Sequence, residues 1–419
     1  MTSALCRNHQ LFFGGDKLKK LILSYRDILF LSLITIPIGI AVGFVDTLFG
    51  RILLYLTDMR MSYPFCFIPF LGIIGIILVW FYQKFGGNSS KGMALIFETG
   101  HGINPDIPLR LIPFTIISTW LTHLFGGSAG REGVAIQIGG TIGHWFGRRF
   151  LVKGSGKILL IAGMAAGFSG LFRTPIAAAF FALEVLTVGV LEQKALLPAL
   201  TAAFTANSVS GLLGLEKFSF ALTDSLSLSW ELAPKLLVAG VLFGITGGLF
   251  ALSLHKTKQL FSKWITNPML RIFMIGISIS ILSLLCREGR YSGLGTNLIS
   301  MSFGNGIVSW DFIFKLVFTV LTLSAGFQGG EVTPLFSIGA SLGVVLASWL
   351  GLPPAFAAAL GYSAVFGSAT NTLIAPIIIG AEIFGFEYFP YFAVVCSLAY
   401  VCNCNFSIYP LQKRNGQDL

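Results

Sequence analysis

Apolar stretches of nearly membrane-spanning length follow one another along the whole chain, and this leaves little choice of fold. Ile28 to Phe49, Pro64 to Tyr82, Leu232 to Leu254 and Arg271 to Cys286 each approach the ~20 residues that a helix needs to cross a bilayer. Charge is scarce to match: 11% of the 419 residues are charged and 54% are hydrophobic, against about 25% charged in soluble domains. Mean hydropathy is +0.81. The balance argues against a water-soluble fold. No strand pattern of period two interrupts it, so the expected class is all-α, a polytopic membrane protein of roughly 15–18 helices of unequal length with short connections.

A formal charge of +10 invites a nucleic-acid reading, but Lys17, Lys19, Lys20 and Arg26 sit in a short segment beside an apolar run. That is how positive charge marks the cytoplasmic side of membrane helices. No soluble basic and aromatic module is present, so nucleic acid is not an expected partner. The apolar run after residue 27 is too long for a signal-peptide core and lacks a cleavage site. Residues 1–27 therefore read as a cytoplasmic segment before a retained first helix, 28–410 as the membrane domain, and 411–419 as a short tail without a soluble regulatory domain. Cys6, Cys66, Cys286, Cys396, Cys402 and Cys404 form no CxxC pair and read as buried free thiols.

Glycine and proline break several apolar runs, at Gly92 to Gly102, Gly126 to Gly143 and Gly326 to Gly351. In hydrocarbon every backbone N–H and C=O must be paired, so broken helices belong where protein or a water-filled path surrounds them. These three entries are candidate binding sites. The pattern GxxxxxxxIGxxxG recurs with Gly130, Ile138, Gly139 and Gly143 answering to Gly330, Ile338, Gly339 and Gly343, 200 positions on. Gly163 to Glu184 lies in the same way on Gly361 to Glu382, 198 positions on. Two repeated halves are expected, about 28–215 and 230–410, with the site where discontinuous helices meet.

The segment Gly126-Gly127-Ser128-Ala129-Gly130-Arg131-Glu132-Gly133-Val134 enters a helix and sets a carboxylate in apolar surroundings. Unpaired amides at a helix start attract an anion or a carboxylate standing in for one, and Glu132 is suited to be that tethered carboxylate. An enzyme is not expected. Gly126-Gly127-Ser128-Ala129-Gly130 formally fits a GxSxG nucleophile elbow, but no strand precedes it and no His and acid partners can be argued. HExxH and CxxC metal spacings are absent, and no Gly-rich entry ends in the Lys-Ser/Thr of a phosphate loop. No cofactor or metal is expected. His101 and His123 read as structural residues, Phe97 as core, and the repeat-matched Glu184 and Glu382 as helix-packing or dimer-proximal carboxylates.

The stretch GSAGREGV resembles the GREGP signature of the CLC family of chloride channels and transporters, whose Glu gates the anion and carries protons. Gly330-Glu331-Val332-Thr333-Pro334-Leu335-Phe336 resembles that family's GxFxP stretch, a second helix start facing the anion. Gly163 to Glu184 resembles its long central segment. Ser407-Ile408-Tyr409 resembles the terminal helix whose Tyr hydroxyl contacts the anion. The resemblance implies a homodimer with one pathway per subunit, and the run of apolar helices points to an inner or plasma membrane. It also implies that Gly130, Arg131, Gly133, Val134, Thr333 and Tyr409 border the anion.

Departures from the pattern sharpen the expectation. Met93 stands where the family's first anion motif, GSGIP, has a hydroxyl-donating Ser, and a thioether donates nothing. Val134 replaces the GREGP proline. Glu331 occupies a usually apolar place, and Val185 stands where chloride/proton exchangers carry an internal Glu. This set resembles the family's fluoride-transporting branch, which exchanges fluoride for protons. Two intramembrane carboxylates, Glu132 and Glu331, would then serve as proton acceptors beside one anion site. A chloride channel or chloride/proton exchanger is the alternative.

Overall fold

The computed structural model describes residues 15–104, 106–149, 154–222 and 230–414. Among the described residues the chain forms 17 α-helices, and its β-bridges are isolated ones. The first half runs α1 (Gly15–Ser62), α2 (Pro64–Phe67), α3 (Leu71–Phe81), α4 (Met93–Gly100), α5 (Leu111–Leu124), α6 (Glu132–Gly147), α7 (Ser155–Phe172), α8 (Pro175–Glu184) and α9 (Leu196–Leu212). The second runs α10 (Leu232–Trp264), α11 (Pro268–Leu285), α12 (Thr296–Phe303), α13 (Asp311–Ala325), α14 (Val332–Leu350), α15 (Pro354–Thr370), α16 (Ile374–Phe384) and α17 (Phe389–Val401). Apart from α2, each helix of the first half has a counterpart of the same rank in the second. Seven helical stretches of the described residues are long and apolar enough to cross a membrane.

Periodicity places each long helix. Along α1, Leu29, Leu33, Ile36, Ile40, Phe44 and Leu48 are exposed, whereas Leu31, Ile38, Val42, Asp46, Phe49 and Leu53 are buried. One stripe is left for lipid and the other for protein. By contrast α7 and α15 are buried almost all round, which is the signature of a central helix. Each lies against the helix before it, α6 or α14, at distances only glycine permits. A β-carbon on Gly139 would overlap the carbonyl of Gly163, and one on Gly339 the carbonyl of Gly361. The repeated glycines are thus contact points between backbones.

Reciprocal capping joins the halves. Glu184 at the end of α8 accepts hydrogen bonds from the N–H groups of Leu373 (3.2 Å), Ile374 (3.1 Å) and Ala375 (2.8 Å) at the start of α16. Glu382 near the end of α16 accepts from Ile176 (3.2 Å) and Ala177 (2.9 Å) at the start of α8. Equivalent residues capping each other's helices are what a local two-fold axis produces, and the packing role expected of both carboxylates is the one they fill.

Two sequence expectations need correction. Cys396 is buried, but Cys66 and Cys404 are exposed and Cys286 and Cys402 are half-buried. An apolar stretch can face lipid as well as core, and Cys6 lies outside the described residues. Tyr409 is not on a terminal helix either. The chain leaves α17 through Cys404 and Asn405, whose φ angles of +55° and +57° are left-handed, and residues 406–409 are irregular before Pro410.

The glycine contacts make a stability prediction. Gly139→Ala and Gly339→Ala should each cost about 2 kcal/mol or more by overpacking, read as a lowered thermal unfolding midpoint in detergent. Gly156→Ala should leave it unchanged, because nothing lies within 4 Å of a β-carbon there.

Candidate functional site

The glycine-rich entries place three helix starts around one point. Gly130 N–H donates to the carbonyl of Gly330 at 2.5 Å and Gly330 N–H to that of Gly130 at 2.7 Å, an antiparallel bridge between residues that the repeat makes equivalent. A β-carbon on Gly130 would stand 2.9 Å from Pro334 Cδ and 3.0 Å from the Gly330 carbonyl. Only glycine allows the approach, and the approach sets the first turns of α6 and α14 side by side.

Glu132, the first residue of α6, reaches across the axis. Its Oε2 accepts a hydrogen bond from Thr333 N–H at 3.1 Å and a short one from the Thr333 hydroxyl. The residue is fully buried. A carboxylate therefore occupies the positive end of α14, where unpaired amides favour negative charge. Its other oxygen, Oε1, has no hydrogen-bond partner and lies 3.7 Å from Arg131 Nε.

Glu331, immediately before α14, does the converse. A β-carbon on Gly133 would lie 3.7 Å from its Oε2, so the Glu331 carboxylate sits against the first turn of α6. It also lines a cavity of about 240 Å³ together with Met93, Phe97, Gln137, Lys258 and Tyr409. Met93 opens α4 after Gly92, whose φ of +54° is the break that starts a new helix there. Tyr409 is buried with its hydroxyl unpaired, its ring 5.1 Å from that of Phe97. Its hydroxyl is thus a buried donor left open beside the cavity, which calls for an explanation.

The structure brings Glu132 and Thr333 together around Gly130, Gly133 and the Glu331 carboxylate, with Met93 and Tyr409 on the cavity. Arg131 stays behind Glu132, away from the cavity lining. Val134 does not join them: its side chain packs among Phe49, Leu53 and Leu171, and its amide bonds the Arg131 carbonyl at 3.1 Å. Gln137 and Lys258 are among the cavity residues that escaped the sequence reading. Gln137 donates from Nε2 to the Gly133 carbonyl at 3.2 Å and leaves Oε1 unpaired; a lone amide inside an apolar helix was the available signal. Lys258, on α10, carried none.

The candidate nucleophile Ser128 is fully buried, accepting from Lys315 Nζ at 2.9 Å and pairing with Thr319 Oγ1 at 2.9 Å. His123 is held by contacts of 2.9 Å to the carbonyls of Thr119 and Ala129. His101 lies 3.0 Å from that of Leu186. Both are structural.

The profile of the family described as voltage gated chloride channel matches residues 74–403. The chain belongs to that family. Within the voltage gated chloride channel family it is 36% identical over 383 residues to a chloride/fluoride channel protein of Pseudomonas syringae pv. tomato, covering 90% of this chain and 84% of the relative. The solved structure of a CLC-type fluoride/proton antiporter superposes with a TM-score of 0.92 at 54% identity, covering 93% of this chain and 99% of that one. A slow cyanobacterial Cl−/H+ antiporter shares the fold at 20% identity and a TM-score of 0.77, over 89% of this chain and 94% of that one. The all-α membrane architecture in two repeated halves is therefore that of this family.

If Glu132 stands in for an anion, removing it frees the seat. Glu132→Ala should bind fluoride about tenfold more tightly by calorimetry, because the tethered competitor is gone. Adding Thr333→Val should cancel the gain.

Proposed function

We propose that this protein exchanges fluoride for protons across a membrane and so exports fluoride. The observation that carries the reading is that the α14 start is occupied by the Glu132 carboxylate, with a second carboxylate, Glu331, beside the same point. The likeness to a CLC-type fluoride/proton antiporter at 54% identity supports it, as does that to a chloride/fluoride channel protein.

In this cycle protonated Glu132 leaves Thr333, and fluoride, a compact and strongly accepting ion, takes its two hydrogen bonds. The Tyr409 hydroxyl and the amide of Gly133 complete the path's polar lining, with the Gly130–Gly330 bridge holding the two helix starts together. Met93 presents a thioether in place of a hydroxyl donor. Glu331 takes protons from the cavity side and so does the work of the carboxylate missing at Val185, which is a fully buried apolar residue here. The ligands are ions alone: fluoride and protons. The protein acts as a homodimer, as the family resemblance implies, in an inner or plasma membrane.

Purified protein in liposomes loaded with potassium fluoride or potassium chloride tests this, with anion efflux and proton uptake followed together. Fluoride efflux faster than chloride, with proton uptake, is the expected result. Chloride flux without proton movement would make the protein a chloride channel. Glu331→Gln should keep fluoride binding and lose proton uptake by about 100-fold, the usual scale for a proton-transfer group; full coupling in that variant would remove Glu331 from the mechanism.

A further inference from the structure

The cycle above leaves several buried or half-buried ionisable groups unused, and Lys315, Glu184 and Glu382 among them are satisfied. Lys315 Nζ donates to Ser128 Oγ, to the Tyr291 carbonyl at 3.1 Å and to the Gly293 carbonyl at 2.7 Å. Glu184 and Glu382 cap helices. Asp46 differs: it lies on the inward stripe of α1, is fully buried, and neither of its carboxylate oxygens has a hydrogen-bond partner.

The charge that acts on Asp46 is that of Arg131. This guanidinium leaves Nε and Nη1 without hydrogen-bond partners, and its Nε lies 3.7 Å from the equally unpaired Glu132 Oε1. Other elements packed on α1 add no competing charge. His123 of α5 is engaged by two carbonyls, Arg173 after α7 bonds Asn207 and Leu215, α9 carries no ionisable side chain, and Cys66 of α2 is exposed. Facing Asp46 from α7 is Gly170, where a β-carbon would stand 2.7 Å from Asp46 Oδ2. Glycine keeps open the room the carboxylate occupies.

The charge of one guanidinium thus serves two buried carboxylates, Glu132 at 3.7 Å and Asp46, on which no other charge acts. In a low-dielectric interior it balances one negative charge, and a second, uncompensated one is costly, so the second carboxylate is held neutral by a proton. We propose that Asp46, Arg131 and Glu132 hold a single exchangeable proton between them, and that Asp46 supplies it to Glu132 when fluoride takes the seat on Thr333. The O–H bond of Asp46 breaks and one forms on a Glu132 oxygen, relayed by a water molecule bonded to the open Asp46 and Arg131 atoms. Arg131 keeps its protons throughout and turns its charge to the new Asp46 carboxylate. Asp46 recovers a proton from the solution only after Glu132 has released its own, later in the cycle. Neither Asp46 nor Arg131 lines the cavity that Glu331 lines, so this proton enters by a separate face of Glu132.

The inference rests on fluoride/proton exchange, and its test separates the two. The pH dependence of coupled exchange is measured in liposomes for the wild type, Asp46→Asn and Asp46→Glu. In Asp46→Asn, Arg131 has Glu132 as its one anionic partner and keeps it ionised. Exchange at neutral pH should fall about tenfold, with the midpoint moved about one pH unit lower. Asp46→Glu should keep the wild-type midpoint. Asp46→Asn with an unmoved midpoint overturns the proposal, whereas a wild type without proton movement overturns the exchange reading itself. Should Asp46→Asn fail to fold, calorimetry of fluoride binding to the wild type in two buffers of different protonation heat decides. An internal transfer gives the same heat in both; uptake of one proton per fluoride contradicts it.

Discussion

Everything in this structure turns on the unpaired amides at the start of α14. Inside a membrane such amides must be satisfied, because hydrocarbon offers no water to do it. Here Thr333 N–H, with the Thr333 hydroxyl, is satisfied by Glu132 from the other half of the molecule. A side chain that meets this need is replaceable by any small anion that meets it as well. In the proposed cycle that exchangeability, far more than any cleft of special shape, is what allows a gate to be also a competitor.

The two-fold relation between the halves makes the arrangement possible. Gly130 and Gly330 bond each other directly, so the first turns of α6 and α14 lie within reach of each other's carboxylates. Glu132 reaches α14, and Glu331 lies against α6. The same reciprocity recurs at the Glu184 and Glu382 caps, where there is no cavity beside the pair among the residues that line the site. One symmetric device thus appears twice, once closed by packing and once left open to an aqueous cavity. The proposed cycle uses only the open one.

Much of this was legible in the sequence because its signals are local. Hydropathy runs gave the helices, the offset of 200 between Gly130 and Gly330 paired the very residues that touch, and GREGV and GEVTP marked the two helix starts. Contacts that depend on distant packing were not legible. Nothing local tells that Glu132 bonds Thr333, that Val134 turns into the Phe49 cluster while Gln137 faces the cavity, or that Asp46 on α1 approaches Arg131. Tyr409 was marked by its motif but placed on a helix, since the left-handed Cys404 and Asn405 that follow α17 are neither glycine nor proline and warn of a turn only weakly. Exposed Cys66 misled for a related reason: in a membrane protein an apolar neighbourhood does not distinguish core from lipid.

If one seat serves Glu132 and fluoride in turn, a structure determined at saturating fluoride should hold a fluoride ion within hydrogen-bond distance of the Thr333 amide and hydroxyl, with the Glu132 carboxyl moved off both. Fluoride bound elsewhere while Glu132 still holds Thr333 would contradict this.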